Sequence, residues 1–361
     1  MSDDTAESDF PITDPLEAAQ AIGLRYVSDA EPGLRREPAA DGGFTYLDAR
    51  DQPVGPRVVA RIAALRIPPA WVEVWICPRA DGHLQATGRD ARGRKQYRYH
   101  PDWSATRNQT KYHRLAQFGA ALPGLRQRMD ADLARRGLPR DKVLAAVLSL
   151  MELTYIRVGN VEYARANRSY GLTTLRDKHV QVAGESIRFQ FVGKSGQQHA
   201  IDVRDRRLAR IVRQCRDIPG YELFQYYDED GRRQRVGSGD VNDYLRAATG
   251  VEFSAKDLRT WGGSVMAAAA LAALGPEESE TAARRNVVAV IKDVAGALGN
   301  RPATCRKYYV HPVVLDAYAT GELAAVWAES VAAAEAEPTP GLSAEETAFL
   351  ALLRRTSETS A

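Results

Sequence analysis

Residues 179–203 read "HVQVAGESIRFQFVGKSGQQHAIDV". Apolar and polar side chains alternate in three runs, "HVQVAG", "SIRFQFVGK" and "QHAIDV", joined by the short connections "GE" and "KSGQ". A period of two broken at Gly and Ser turns predicts a three-stranded antiparallel meander. On both sides the period becomes helical: "KYHRLAQFGAAL", "DADLARRG" and the apolar "KVLAAVLSLMELTYI" at 142–156 precede it. "DRRLARIVRQC", "SGDVNDYLRAATG", "SAKDLRTWGGSVMAAAALAALG" and "TAARRNVVAVIKDVAGALGN" follow, each opened by a Ser, Thr or Asp able to cap. Residues 106–330 are thus expected to form a mainly helical domain with one small sheet.

The preceding stretch behaves differently. Between 23 and 105, short β-like runs alternate with Gly, Pro and Asp: "FTYLD" at 44–48, "VEVWICP" at 72–78, "LQATG" at 84–88 and "KQYRYHP" at 95–101. Only "PRVVARIAALRI" at 56–67 has a helical pattern there. The expected class is therefore α+β, a small β-rich N-terminal domain followed by the helical one. Residues 1–22 read as an acidic, flexible arm, and 331–361 as an acidic tail made of a linker and a short appended helix.

At 361 residues with 44% hydrophobic content, the chain is long enough for two ordinary cores. The formal charge of +3 is unevenly spread: six acids and no bases fall in residues 1–18, and seven acids against two bases in 320–361, which leaves +14 on the body between. A surplus of that size points to an anionic partner, of which nucleic acid is the commonest. The three cysteines form no C-x-x-C pair, which argues against a zinc ribbon or a disulfide framework and fits a reducing cytoplasm. The six histidines are scattered, so a metal site is not expected. The N-terminus lacks the pattern of a signal peptide, and the longest apolar run is too short to span a bilayer.

Charge and aromatic character concentrate in "RDARGRKQYRYHPDWSATRNQTKYHR", Arg89–Arg114, with eight Lys or Arg against two Asp. Cations neutralise phosphates while aromatic and amide groups meet sugars and bases, so this mixture suits duplex DNA. The candidate contacts are Arg92, Arg94, Lys95, Gln96, Tyr97, Arg98 and Tyr99, with Asn160 and Tyr163 further along. An edge strand with solvated Arg and Tyr would look similar. "GKS" at 193–195 is not a nucleotide loop, because the required Gly five residues earlier is Arg188.

The remaining chemical positions occur in order: Arg157 in "TYIRVGN", Lys194 in "FVGKSG", Lys256 and Arg259 in "SAKDLRTWGG", Asn300 in "LGN", and Tyr308 and Tyr309 in "RKYYVHP". Lys256 and Arg259, three apart, fall on one face near a helix N-terminus, where an anion is favoured. A phenol with an ordinary pKa of ~10 is a poor nucleophile unless cations assist it, and the residues alone do not choose between the two tyrosines.

Taken in order, "GRKQYRYHP", "RVGN", "FVGK", "KDLRT", "LGN" and "RKYYVHP" resemble the boxes of the type IB DNA topoisomerases, in the compact poxvirus-like branch that includes bacterial enzymes. The resemblance spans about residues 25–320. It implies the DNA breaking-rejoining fold, and places the active-site arginines at Arg157 and Arg259, the general acid at Lys194 and a supporting cation at Lys256. The nucleophile falls on Tyr309, nine residues after Asn300. Poxvirus-like members commonly carry His where this chain has Asn300, and an amide can donate a hydrogen bond there but cannot titrate. The implied activity is relaxation of positive and negative supercoils through a 3'-phosphotyrosyl intermediate, by a cytoplasmic monomer clamped around double-stranded DNA, with no ATP and no required metal. Two alternatives use parts of the same pattern. A tyrosine recombinase or integrase shares the Arg, Lys and Tyr but usually shows H-x-x-R at 256–259, and a non-catalytic DNA-binding protein needs only the charge.

Overall fold

The computed structural model describes residues 15–39, 42–91, 93 and 95–359. The chain divides into two compact units, 1–114 and 115–361. The first contains α1 (Pro15–Ala21), β1 (Leu34–Pro38), β2 (Phe44–Leu47), α2 (Pro56–Ala64), β3 (Val72–Ile76), β4 (Leu84–Arg89), β5 (Lys95–Tyr99) and the start of α3 (Pro101–Ala134). Its strands form one antiparallel sheet in the order β2-β1-β3-β4-β5. Leu34, Val74, Ile76 and Ala86 from the sheet close on Ile62 of α2 to make a small core.

Strand β1, "LRREP", was not visible in the sequence, since only Leu34 in it is buried and the alternation is hidden by charge. The expected flexible arm over 1–22 is corrected in part: residues 15–21 form α1, which buries Ala19 beside Leu24 and Trp103. Residues 1–14 lie outside the described residues.

The second unit continues α3 and adds α4 (Arg140–Thr154), α5 (Val161–Asn167), β6 (Val180–Ala183), β7 (Ser186–Val192), β8 (Gln198–Arg204) and α6 (Arg206–Arg216). A two-stranded ribbon follows, β9 (Gln225–Tyr227) and β10 (Arg233–Arg235). The rest is helical: α7 (Ser238–Thr249), α8 (Ala255–Leu274), α9 (Glu280–Ala297), α10 (Pro302–Tyr308), α11 (Pro312–Ala319), α12 (Leu323–Ala336) and α13 (Ala344–Thr359). The meander is present as expected, in the order β6-β7-β8, with Val180 opposite Phe189 and Phe189 opposite Ile201. Its apolar face, Ile187, Phe189 and Phe191, joins a core centred on α4, where Val143 through Leu148 are all fully buried. A helix apolar on every side belongs in the middle of a domain.

The expected tail over 331–361 looks different in its α13 part: Ala348, Phe349, Leu350, Leu352 and Leu353 belong to the main core, as does Trp327 of α12, so α13 packs into the interior of the second unit. Glu346 accepts from Arg126 of α3 and from Trp261 of α8, and Arg126 also pairs with Glu152 of α4. Glu346, in the stretch expected to be an acidic tail, and Glu152 are here the partners of the half-buried Arg126 guanidinium.

Candidate active site

Arg157 follows the left-handed C-cap of α4 at Tyr155, φ 52°. The backbone then runs extended, with the Arg157 and Val158 carbonyls accepting from the Leu172 and Thr173 amides. That fixes where the guanidinium emerges. Its Nη2 donates to the Gly299 carbonyl at 3.1 Å and to Asn300 Oδ1. Arg259, one turn into α8, is 3% exposed and donates from Nη2 to the Leu298 carbonyl at 2.7 Å. Two guanidiniums from distant parts of the chain thus grip the same turn between α9 and α10.

Burial pushes the Arg259 guanidinium down to about 10, and the neighbouring charge of Arg157 adds to the effect while Tyr309 opposes it. Arg157 is lowered as well, by burial, again against the pull of Tyr309. Among the described residues, neither Nε nor Nη1 of Arg259 has a hydrogen-bond acceptor, nor does the buried Nδ2 of Asn300. Buried unpaired donors are costly, and an anionic group bound here would relieve that cost.

Tyr309 leaves the end of α10, its amide bonded to the Cys305 carbonyl at 2.8 Å. Its ring lies against Arg259, 5.2 Å from Cζ to the ring centroid. Tyr308, 37% exposed, stands instead between Lys307 at 5.3 Å and Lys256 at 5.9 Å. Lys256 and Arg259 therefore part company despite their spacing: Arg259 is buried toward Tyr309, while Lys256 is exposed and faces Tyr308. The expectation that Lys256 assists Tyr309 gains no support from this arrangement.

Lys194 sits in a one-turn 3-10 segment between β7 and β8, with Ser195 and Gly196 both at positive φ. Its Nζ lies 6.0 Å from the Tyr163 ring centroid. Among the described residues no group of three or more His, Cys, Asp or Glu could hold a metal ion, and no helix is long and apolar enough to cross a membrane.

Two family models match the chain: the catalytic core of eukaryotic DNA topoisomerase I over residues 98–329, and the N-terminal domain of bacterial DNA topoisomerase IB over 43–90. The chain belongs to the type IB DNA topoisomerases. It is 33% identical to DNA topoisomerase 1B of Acanthamoeba polyphaga mimivirus over 79% of this chain and 87% of that protein. It is 22% identical to DNA topoisomerase 1B of vaccinia virus strain Copenhagen, over 63% of this chain and 70% of the viral one, and similarly to the monkeypox virus DNA topoisomerase I. Membership makes it an isomerase, and the mixed fold with its helical catalytic region agrees.

In this type IB chain the proposed DNA contacts separate into two groups. Lys95, Tyr97 and Tyr99 share one face of β5, an edge strand, with the tyrosine rings stacked 5.9 Å apart. Lys95 Nζ is paired with Asp29 at 2.5 Å. On the other face, Gln96 donates to Asp90, and Arg98 donates to the Arg66 carbonyl and lies over Trp71. Arg98 thus holds its own unit together. Arg92 and Arg94 lie outside the described residues. Asn160 caps α5, accepting from the Tyr163 amide at 2.8 Å.

Sequence reading missed His199 of β8. Burial, then the charges of Arg157 and Arg259, push its imidazole below the usual range, which puts it beside the site. No local motif announces it; the only available signal was its place five residues after Lys194 in the meander.

Proposed function

We propose that this chain cuts one strand of duplex DNA with Tyr309, lets torsional stress relax by rotation, and reseals the strand. The observation that supports this most is the convergence of Arg157, Arg259 and Asn300 on the Leu298–Asn300 turn beside Tyr309, with buried donors left without acceptors. Attack of the Tyr309 oxygen on phosphorus forms an O–P bond and breaks the bond from phosphorus to the 5' oxygen, whose electron pair leaves with it. The two guanidiniums, which keep their protons, hold the nonbridging oxygens as charge builds there. Asn300 Nδ2 adds a neutral donor.

Lys194 gives a proton to the departing 5' oxygen, and the phenol's proton passes to solvent. The 3'-phosphotyrosyl ester keeps the free energy of the phosphodiester, so the reverse attack by the 5' hydroxyl needs no ATP. In this reading the cation requirement is met by Arg and Lys, and a metal adds nothing to the step. Lys256 contributes a peripheral charge beside Tyr308. Lys95, Tyr97 and Tyr99 face the duplex, with Lys95 exchanging Asp29 for a phosphate, and Tyr163 lies next to Lys194. We extend the reading to a reducing cytoplasm, which suits Cys77, Cys215 and Cys305, all free and buried, and to a chain that acts as a monomer.

The test is relaxation of supercoiled plasmid in EDTA without ATP, comparing Tyr308→Phe with Tyr309→Phe. Only the Tyr309 variant is expected to lose both relaxation and the covalent adduct. Relaxation that survives in Tyr309→Phe overturns the assignment.

A further inference from the structure

The His199 imidazole stacks on Phe191 of β7, ring centroids 4.8 Å apart and planes 12° from parallel. Its edge rests on two glycines far apart in sequence. A Cβ on Gly193 would come 2.6 Å from His199 Nε2, and a Cβ on Gly299 would come 2.5 Å from its Cε1. Non-bonded Cβ contacts that short essentially never occur, so a side chain at either position would displace the ring. Gly193 directly precedes Lys194, and Gly299 directly precedes Asn300. One ring therefore fills the space between the β7–β8 turn and the α9–α10 turn, and the latter is the turn that Arg157 and Arg259 grip.

Lys194 itself is exposed, and among the described residues no carboxylate pairs with it. Its place is set by the turn that carries it, closed by the Gly193 amide donating to the Gln197 carbonyl at 2.7 Å. What that turn leans on is His199. The charged groups acting on the imidazole are Arg157 and Arg259. An uncharged ring, which burial and the two guanidiniums favour, fits among those cations without adding repulsion.

We infer that His199 is a positioning residue, bracing the Lys194 turn against the Gly299–Asn300 turn so that the Lys194 ammonium meets the departing 5' oxygen. The inference rests on the reading of Lys194 as the general acid. A turn displaced by about 1 Å can cost on the order of 10² in rate when the displaced group acts in the transition state.

The experiment measures single-turnover formation of the covalent adduct by the full chain on two DNA duplexes, one ordinary and one with sulfur replacing the 5' bridging oxygen at the cut. A thiolate leaves without protonation, its conjugate acid having a pKa near ~8.5, so the sulfur substrate does not need the acid. His199→Ala is expected to slow cutting of the ordinary duplex about 10- to 100-fold and to leave the sulfur duplex nearly unaffected. Lys194→Ala should show the same selectivity more strongly. The double variant should be no slower than Lys194→Ala alone, because a residue acting through Lys194 has nothing left to position. Gly193→Ala, at φ −91° where alanine is unstrained, closes the same slot from the other side and should copy His199→Ala, even if the latter does not fold.

Equal slowing on both duplexes, an additive double variant, or no slowing in His199→Ala and Gly193→Ala overturns the inference. If Lys194→Ala is not itself rescued by sulfur, the reading of Lys194 fails first. Rescue of Lys194→Ala without rescue of His199→Ala removes only the positioning role of His199.

Discussion

Arg157 donates to the Oδ1 of Asn300. A guanidinium has no acceptor, so the amide oxygen must face it and the amino group must turn away. That leaves Nδ2 buried, without an acceptor, and next to the turn held by both arginines. We expect Asn300→Ala to slow adduct formation about 10²-fold, the usual effect of deleting one donor from a charge-stabilising cage. Asn300→Asp should be slower still, since it pairs with Arg157 and sets a carboxylate against the phosphate. Rates within twofold of wild type for both would show that Nδ2 takes no part.

The unpaired donors of Arg259 carry a cost in the DNA-free protein. A guanidinium lowered in the folded state to about 10 disfavours folding fully below about 10, and the penalty fades only as pH climbs above that toward the ordinary guanidinium range. At neutral pH the penalty is therefore present. Arg259→Met keeps the stem's packing, loses the bond to Leu298, and removes the buried charge. It should abolish cleavage yet raise the Tm of the free protein, with about 2–4 °C for each kcal/mol relieved. Sulfate should stabilise wild type more than this variant. A lower Tm for Arg259→Met would mean that the charge is compensated in the free state.

Gly263 of α8 lies where a Cβ would come 2.6 Å from the Tyr309 carbonyl oxygen. Gly263→Ala must push away the backbone of the residue proposed to attack phosphorus. DNA affinity should hold while adduct formation falls about 10- to 100-fold. Gly296→Ala, with nothing within 4 Å of the added carbon, is the control and should leave the rate unchanged. Unaltered cutting by Gly263→Ala would show that Tyr309 tolerates the shift.

What the sequence revealed followed the range of the forces involved. The meander and helices α6 to α9 were legible because alternation and helical period are local, and the turns at 184–185 and 193–197 punctuate them. Arg157, Lys194, Arg259, Asn300 and Tyr309 were visible as motifs, and the fold brings Arg157, Arg259, Asn300 and Tyr309 together. Lys256 and Arg259 separate because three residues' spacing fixes a helical face but not what covers it: the neighbour at Arg259 is protein and at Lys256 largely solvent. His199 was hidden because its meaning depends on Gly193 and Gly299, which only tertiary folding makes adjacent. The short ribbon β9–β10, three residues a strand, gave too little pattern to read.

Glu346 was hidden for the opposite reason, since surrounding acids made its helix look solvated. Burial alone would raise its carboxyl, but hydrogen bonds from Arg126, the Ser343 amide and Trp261 hold it below the ordinary 4.5. Glu152, buried on the same Arg126, is raised by burial against that pairing. A lowered carboxylate contributes stability that is complete above 4.5 and is lost as pH falls through its folded value. Breaking a buried pair from one side costs about 3–5 kcal/mol, so Glu346→Gln should lower Tm clearly at pH 7. The difference from wild type should shrink as pH falls below 4.5 through the lowered folded value, where wild-type Glu346 itself becomes neutral. Because α13 seats Phe349 in the core beside Trp261 of the helix that carries Arg259, removing residues 337–361 should unfold the catalytic unit, measured by the loss of a cooperative melt. A truncated chain that melts like wild type and still forms the adduct would return this segment to the status of a tail.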